Sequence, residues 1–99
     1  MTDLSTLQLE HFAPLVEQAF SLDTGSETIQ VRLIEAKAFS RLTSPRHRIP
    51  FSLIFLGPTQ PAIAQGTYSL SAAGGFAAPL FLVPVRQDES GMHYQAVFN

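Results

Sequence analysis

The chain has no cysteine, and charged residues make up only 14% of its 99 positions. Without cysteine, a disulfide framework, a thiolate zinc site and a cysteine nucleophile are all excluded. The sequence also lacks the run of about 18 apolar residues that a membrane-spanning helix requires, and its first residues lack the basic segment of a secretion signal. We therefore expect a cytoplasmic protein that does not associate with membranes.

The residues that are present favour a folded domain. Hydrophobic residues make up 45% of the chain and include eight phenylalanines, which is far from the low hydrophobicity and high charge of disordered segments. A chain of this length can bury one core without disulfides or metal. We expect residues 1–99 to form a single domain that folds without a cofactor.

The few charges are distributed unevenly. Residues 1–31 contain five acidic residues and no lysine or arginine, whereas residues 32–86 contain all six basic residues and one acid. Such a split can be neutralised within the fold, across a subunit contact or by an external partner. Because the net charge is -2, the chain lacks the basic character of nucleic-acid-binding domains, and we expect no nucleic-acid partner.

The hydrophobic pattern predicts one short helix and about six strands. Ser5 and Gln8 have the spacing of a capping box at the start of the helix, and Pro14 is expected to end it. Strand segments then follow at spacings of roughly ten residues, which is typical of an antiparallel meander. We expect a mostly β fold in which this meander forms a small barrel or a coiled sheet, with the helix plugging one end. The predicted strands are AFSL, ETIQVRLIEA, FSLIFLGP, QGTYSLS, PLFLVPV and MHYQAVF.

Two of these strands, FSLIFL and PLFLVPV, are apolar on both faces. Pro84 cannot donate a hydrogen bond to a neighbouring strand, so it predicts a sheet edge, a bulge or a strand end. One thin sheet and one helix cannot cover both apolar faces, so either the sheet closes on itself or another chain covers the remainder. We expect a homo-oligomer, with a two-fold dimer as the commonest form, or a subunit of a larger assembly. The predicted interface consists of Ile54, Leu56, Phe81, Val83 and Val85.

The segment RLTSPRHR, residues 41–48, is the densest basic stretch of the chain. Arg46, His47 and Arg48 form a candidate anion site, because guanidinium groups bind phosphates and carboxylates in a bidentate manner. The alternative is a solvated loop, or one paired with the acidic N-terminal third of the chain.

Other chemistry has little support in the sequence. The histidines, His11, His47 and His93, do not have the spacing of metal ligands. Neither a nucleophile elbow nor a phosphate-binding glycine loop occurs, and Gly74-Gly75 is interpreted as a turn. The sequence therefore predicts no catalytic residue, no metal and no cofactor.

Four segments, FSLxFxGP, GxYxL, LFLVPV and a terminal YxAVFN, occur in this order. Together they resemble a family of small bacterial β-rich domains, about the length of this chain, that has no assigned function. The resemblance implies a compact β-rich fold and an accessory structural role in a phage-tail-like or surface assembly. It also implies glycine at position 17, where this chain has Glu17, and it does not extend to residues 39–48.

These observations predict a non-enzymatic structural or protein-interaction module. The alternative is a β-barrel that binds a small ligand or an anion at its mouth, using the basic loop 41–48.

Overall fold

Six antiparallel strands close into a barrel in the computed structural model, which describes residues 9–38, 51–60 and 62–98. Around the barrel the strands follow the order β1-β2-β3-β6-β5-β4, and β4 pairs with β1 to complete the circle. The predicted β-rich antiparallel barrel is confirmed. The strands are β1 (Ala19–Asp23), β2 (Thr28–Ala38), β3 (Phe51–Gly57), β4 (Gly66–Ala72), β5 (Ala77–Asp88) and β6 (Gly91–Phe98).

The strand order corrects the predicted meander at one connection. The chain leaves β3 and enters β4, yet these two strands are not neighbours, because β3 pairs with β2 and β6 while β4 pairs with β1 and β5. Two tyrosines hold the second part of this connection, residues 62–65. The hydroxyl of Tyr94 accepts a hydrogen bond of 2.9 Å from the Ile63 N–H, and the hydroxyl of Tyr68 donates one of 2.7 Å to the Ala64 carbonyl.

The predicted helix is present as one turn, α1 (Leu9–Phe12), which continues into a 3-10 turn, Ala13–Leu15, that contains Pro14. The proposed capping residues Ser5 and Gln8 lie outside the described residues. Phe12 is fully buried and contacts the rings of Phe51, Phe76 and Phe98 at centroid distances of 5.4–5.8 Å. The segment therefore contributes one aromatic side chain to the core. Within the described residues, no helix is long and apolar enough to cross a membrane.

The interior of the barrel is filled by side chains from alternate positions of all six strands. This alternation arises because successive side chains of a strand point to opposite faces of the sheet. The pattern predicted for ETIQVRLIEA is confirmed: Ile29, Val31 and Leu33 are buried, and Gln30 and Arg32 are exposed. The other buried hydrophobic residues of the strands are Phe20, Leu22, Phe51, Leu53, Phe55, Leu70, Ala78, Leu80, Leu82, Tyr94, Ala96 and Phe98.

Two β-bulges interrupt the regular pairing. In β2 the register shifts between Leu33 and Glu35, which leaves Ile34 as the extra residue. In β5 the register shifts between Pro84 and Arg86, which leaves Val85 as the extra residue. The second bulge confirms one of the outcomes predicted from Pro84. A bulge turns a side chain away from the regular alternation of the strand, so both bulges alter the outer surface of the barrel.

Among the residues with a left-handed backbone conformation, Gly91 and Glu17 show how the fold constrains the sequence. Gly91 has φ 140°, and a Cβ there would collide with the Gly57 carbonyl oxygen. Glu17 has φ 76°, and its N–H donates a 2.6 Å hydrogen bond to the Leu33 carbonyl. The chain thus makes the tight entry into β1 although Glu17 stands where the family resemblance implies glycine.

Candidate functional site

The outer wall formed by β3, β6 and β5 carries the exposed large hydrophobic residues Phe81, Val85 and Val97, and it brings the predicted interface residues together. The strand register places Ile54 opposite Gln95, and Gln95 in turn opposite Val83. Leu56 is likewise opposite His93, which pairs with Arg86 in β5. We call the outward residues of this wall the outer apolar strip: Ile54, Leu56, Phe81, Val83, Val85 and Val97.

Closure of the barrel separates the two apolar faces that the sequence predicted. It covers one set, which includes Phe51, Leu53, Leu80 and Leu82, at 0–2% exposure. The outer apolar strip remains on the surface, where Phe81, Val85 and Val97 are 52%, 48% and 47% exposed. Closure of the barrel therefore leaves the outer apolar strip uncovered. Large apolar patches on a soluble domain commonly mark a contact surface.

A concave notch of about 370 Å³ lies at one end of the strip. The two bulge residues, Ile34 and Val85, form part of its walls, so the notch is located where β2 and β5 both depart from regular pairing. Ile54 contributes a third apolar wall between them. The polar residues that line the notch are Glu35, Arg86 and His93.

Three polar residues form a network beside the notch. The Arg86 guanidinium donates a hydrogen bond from Nη2 to His93 Nε2 at 3.2 Å, and the same nitrogen lies 3.2 Å from Asp88 Oδ2. Since a guanidinium is only a donor, neutral His93 must carry its proton on Nδ1. That atom is buried and has no hydrogen-bond partner among the described residues.

The Asp88 carboxylate is held chiefly by the turn that follows β5. Hydrogen bonds from the Ser90 hydroxyl and from the Ser90 N–H lower the pKa of Asp88, and the nearby His93 and Arg86 lower it further. Asp88 therefore stays ionised at neutral pH and orients Arg86 across His93.

Serine, histidine and aspartate occur together here, but their order differs from that of a nucleophilic triad. In such a triad the histidine lies between the serine and the carboxylate and takes the proton of the hydroxyl. In this protein Asp88 lies between the other two: the Ser90 hydroxyl donates to Asp88 Oδ1, and His93 Nε2 is 3.9 Å from Asp88 Oδ2. The arrangement fixes Arg86 and the turn and does not activate Ser90.

The sequence also predicted an anion site and singled out the histidines. Arg46, His47 and Arg48 lie outside the described residues, and the predicted anion site stays a prediction. His11 lies on α1, whereas His93 lies on the outer wall. Among the described residues, no group of three or more histidine, aspartate or glutamate side chains could hold a metal ion.

The uneven charge distribution is partly neutralised within the chain. Glu17, from the acidic first third, lies 3.6 Å from Arg32, from the basic middle. Arg86 pairs in the same way with Asp88, from the acidic end. Both pairs are largely exposed to solvent, so each contributes little to stability.

Sequence reasoning missed two features of the outer wall. Val97 alternates with the buried Ala96 and Phe98, so the period of two in MHYQAVF already placed it on the outer face. The same period of two places His93 on the outer face, yet His93 is only 6% exposed. The sequence does not indicate this burial, because no local pattern shows that Val85 and Arg86 lie beside His93 after the bulge in β5.

Taken with the fold, this surface defines a small closed β-barrel with a filled interior and an apolar outer wall. The chain belongs to the family described as the domain of unknown function DUF6916, whose model matches residues 7–98. The resemblance found in the sequence, to a family without an assigned function, is thereby confirmed. No curated protein and no solved structure matches the chain.

Proposed function

We propose that this protein is a non-enzymatic structural or protein-interaction module that associates with a second copy of itself through the outer apolar strip. The observation that carries the proposal is the exposure of Phe81, Val85 and Val97 on one wall of a barrel whose own core is already filled. The association covers apolar surface that the monomer leaves in contact with water.

The composition of the wall supports this role. The uncharged Gln95 lies between Ile54 and Val83 in the middle of the strip, whereas the charged residues Glu35, Lys37 and Arg86 lie beside the strip on β2 and β5. Protein interfaces commonly have an apolar centre that is poor in charge and a polar rim. A second copy supplies the same chemistry, because a two-fold interface uses one patch twice.

The order of the Asp88 network, in which the carboxylate lies between Ser90 and His93, supports the non-enzymatic part of the proposal. The wider setting, an accessory role in a phage-tail-like or surface assembly, is proposed from the family resemblance. In that setting the dimer is a building unit for the assembly. The functions of the neighbouring genes in the genome are a test of this accessory role.

Sedimentation equilibrium of the purified protein tests self-association. We expect a dimer at micromolar concentration, and we expect Val97→Asp to be monomeric because a buried unpaired charge strongly destabilises an interface. Ser71→Asp is the matched control, since Ser71 is exposed on β4, away from the strip. It should sediment as the unmodified protein does.

The proposal fails if the unmodified protein is monomeric up to about 1 mM, which corresponds to an association weaker than about 4 kcal/mol. It also fails if Val97→Asp and Ser71→Asp change the association equally.

A further inference from the structure

The outer apolar strip contains both a protruding aromatic side chain and a concave site, and the two lie apart on the same wall. Phe81 is the most exposed large apolar residue of the described chain, at 52%. The notch begins at Val85, four residues further along β5. At about 3.4 Å per residue, this separates the ring from the edge of the notch by about 14 Å along the strand.

We propose that Phe81 of each copy inserts into the notch of the other copy across a two-fold axis. This inference rests on the proposed self-association and specifies how the two walls are aligned. A surface that carries a protrusion and a matching depression is self-complementary under two-fold symmetry, because one rotation places both protrusions in both depressions. The axis crosses the wall near Val83 and Gln95, which lie between Phe81 and the notch.

The chemistry of the notch fits an aromatic ring. Its volume of about 370 Å³ is many times the ~30 Å³ that one water molecule occupies in the liquid. Ile34, Ile54 and Val85 supply apolar walls. Arg86 is held over His93 by its hydrogen bond and by Asp88, so its guanidinium is positioned at the notch, where it can lie against the face of an inserted ring.

The notch is less well suited to a small polar ligand. The donor that His93 leaves unused, Nδ1, is buried and is not accessible from solvent. The guanidinium of Arg86 is already shared between His93 and Asp88, and the Glu35 carboxylate repels an anion from the rim. A hydrophobic side chain carried by a second copy fits these constraints better than an anion does.

A pair of complementary variants tests this alignment. Phe81→Ala removes the protrusion and leaves the notch intact. Val85→Trp fills the notch and leaves the protrusion intact, and both substituted positions are about half exposed, so each variant keeps the fold. Alone, each variant is expected to dimerise at least about 100-fold more weakly than the unmodified protein, because both contacts of the symmetric interface are lost.

The mixture of the two variants is the decisive measurement, by sedimentation or by energy transfer between labelled copies. In a mixed dimer, Phe81 of the Val85→Trp copy enters the intact notch of the Phe81→Ala copy. One of the two contacts is thus restored, and we expect the mixed dimer to bind about tenfold more tightly than either variant binds itself. Ala77→Trp is the matched control, because it adds the same side chain at an exposed position of β5 outside the notch. It is expected to dimerise normally.

The possible outcomes distinguish this alignment from self-association itself. If the unmodified protein dimerises but the mixture is no tighter than the single variants, the alignment is overturned and the proposed function stands. If Val85→Trp dimerises as well as Ala77→Trp does, the notch is not part of the interface and the alignment is again overturned. A monomeric unmodified protein overturns both proposals.

Discussion

The inner and outer faces of β5 have nearly the same hydrophobicity and opposite environments. Leu80 and Leu82 are 2% and 0% exposed, whereas Phe81 between them is 52% exposed. Closure of the sheet makes this difference, since it covers one face of every strand and leaves the other outside. The comparison shows that an apolar residue in a strand identifies a contact surface only after the curvature of the sheet is known.

The largest expected difference in stability is between substitutions at two adjacent residues of β5, one on each face. Leu82→Ala leaves a cavity in the filled interior and is expected to lower the free energy of unfolding by about 2–5 kcal/mol. Phe81→Ala removes a larger side chain from the outer wall, yet it should change the stability of the monomer by less than about 1 kcal/mol. Urea denaturation at a protein concentration low enough to keep the chain monomeric measures both values. Equal losses would show that Phe81 packs within the monomer and would contradict the distinction between the faces.

A smaller effect is expected where the interior meets the connection between β3 and β4. Tyr94 is 2% exposed, and its hydroxyl accepts the Ile63 N–H. Tyr94→Phe keeps the ring but leaves that partly buried N–H without its partner, which should cost about 1–2 kcal/mol. Tyr68→Phe is the matched control, because it removes the exposed hydrogen bond to Ala64, whose groups can bond to water instead.

Thermal unfolding of the two tyrosine variants compares these costs. The expectation is wrong if Tyr68→Phe is as destabilising as Tyr94→Phe. The exposed hydrogen bond to Ala64 would then contribute as much to stability as the partly buried one from Ile63.

The strands could be predicted because each has a local period of two, which chain neighbours alone establish. The turn between β4 and β5 could also be predicted from local sequence. Gly74 and Gly75 adopt the positive φ values that a tight turn needs. The pairs that close the barrel, β3 with β6 and β1 with β4, join segments that are distant in sequence. No local pattern selects those partners, so barrel and open coiled sheet remained alternatives.

The notch could not be predicted from the sequence, for a related physical reason. A bulge inserts one residue into a strand without changing its average hydrophobicity. In β2 the apolar positions change from odd to even numbers after the buried Leu33, which marks the shift but does not specify that Ile34 then lines a notch on the outer wall. In β5, Pro84 marked a possible interruption, but the proline does not specify that Val85 and Arg86 then lie beside His93.

The smallest expected effect concerns Glu17, an exposed residue that is important because of its backbone conformation. Its φ of 76° is left-handed, which costs a residue with a Cβ roughly 1–2 kcal/mol relative to glycine. Replacing it with glycine removes this strain, but glycine loses about 0.5–1 kcal/mol more conformational entropy on folding than alanine does. The exposed ion pair with Arg32 adds no more than about 1 kcal/mol.

Glu17→Ala separates these contributions, because it loses the ion pair and keeps the Cβ. Both variants retain the hydrogen bond from the N–H of residue 17 to the Leu33 carbonyl. We therefore expect Glu17→Gly to be more stable than Glu17→Ala by about 0.5–1 kcal/mol, measured by denaturant unfolding of the two variants side by side. If the alanine variant is equally stable or more stable, the left-handed conformation is not a source of strain at this position. A positive difference would show that on the outside of this barrel the backbone conformation of a residue can affect stability more than its side chain does.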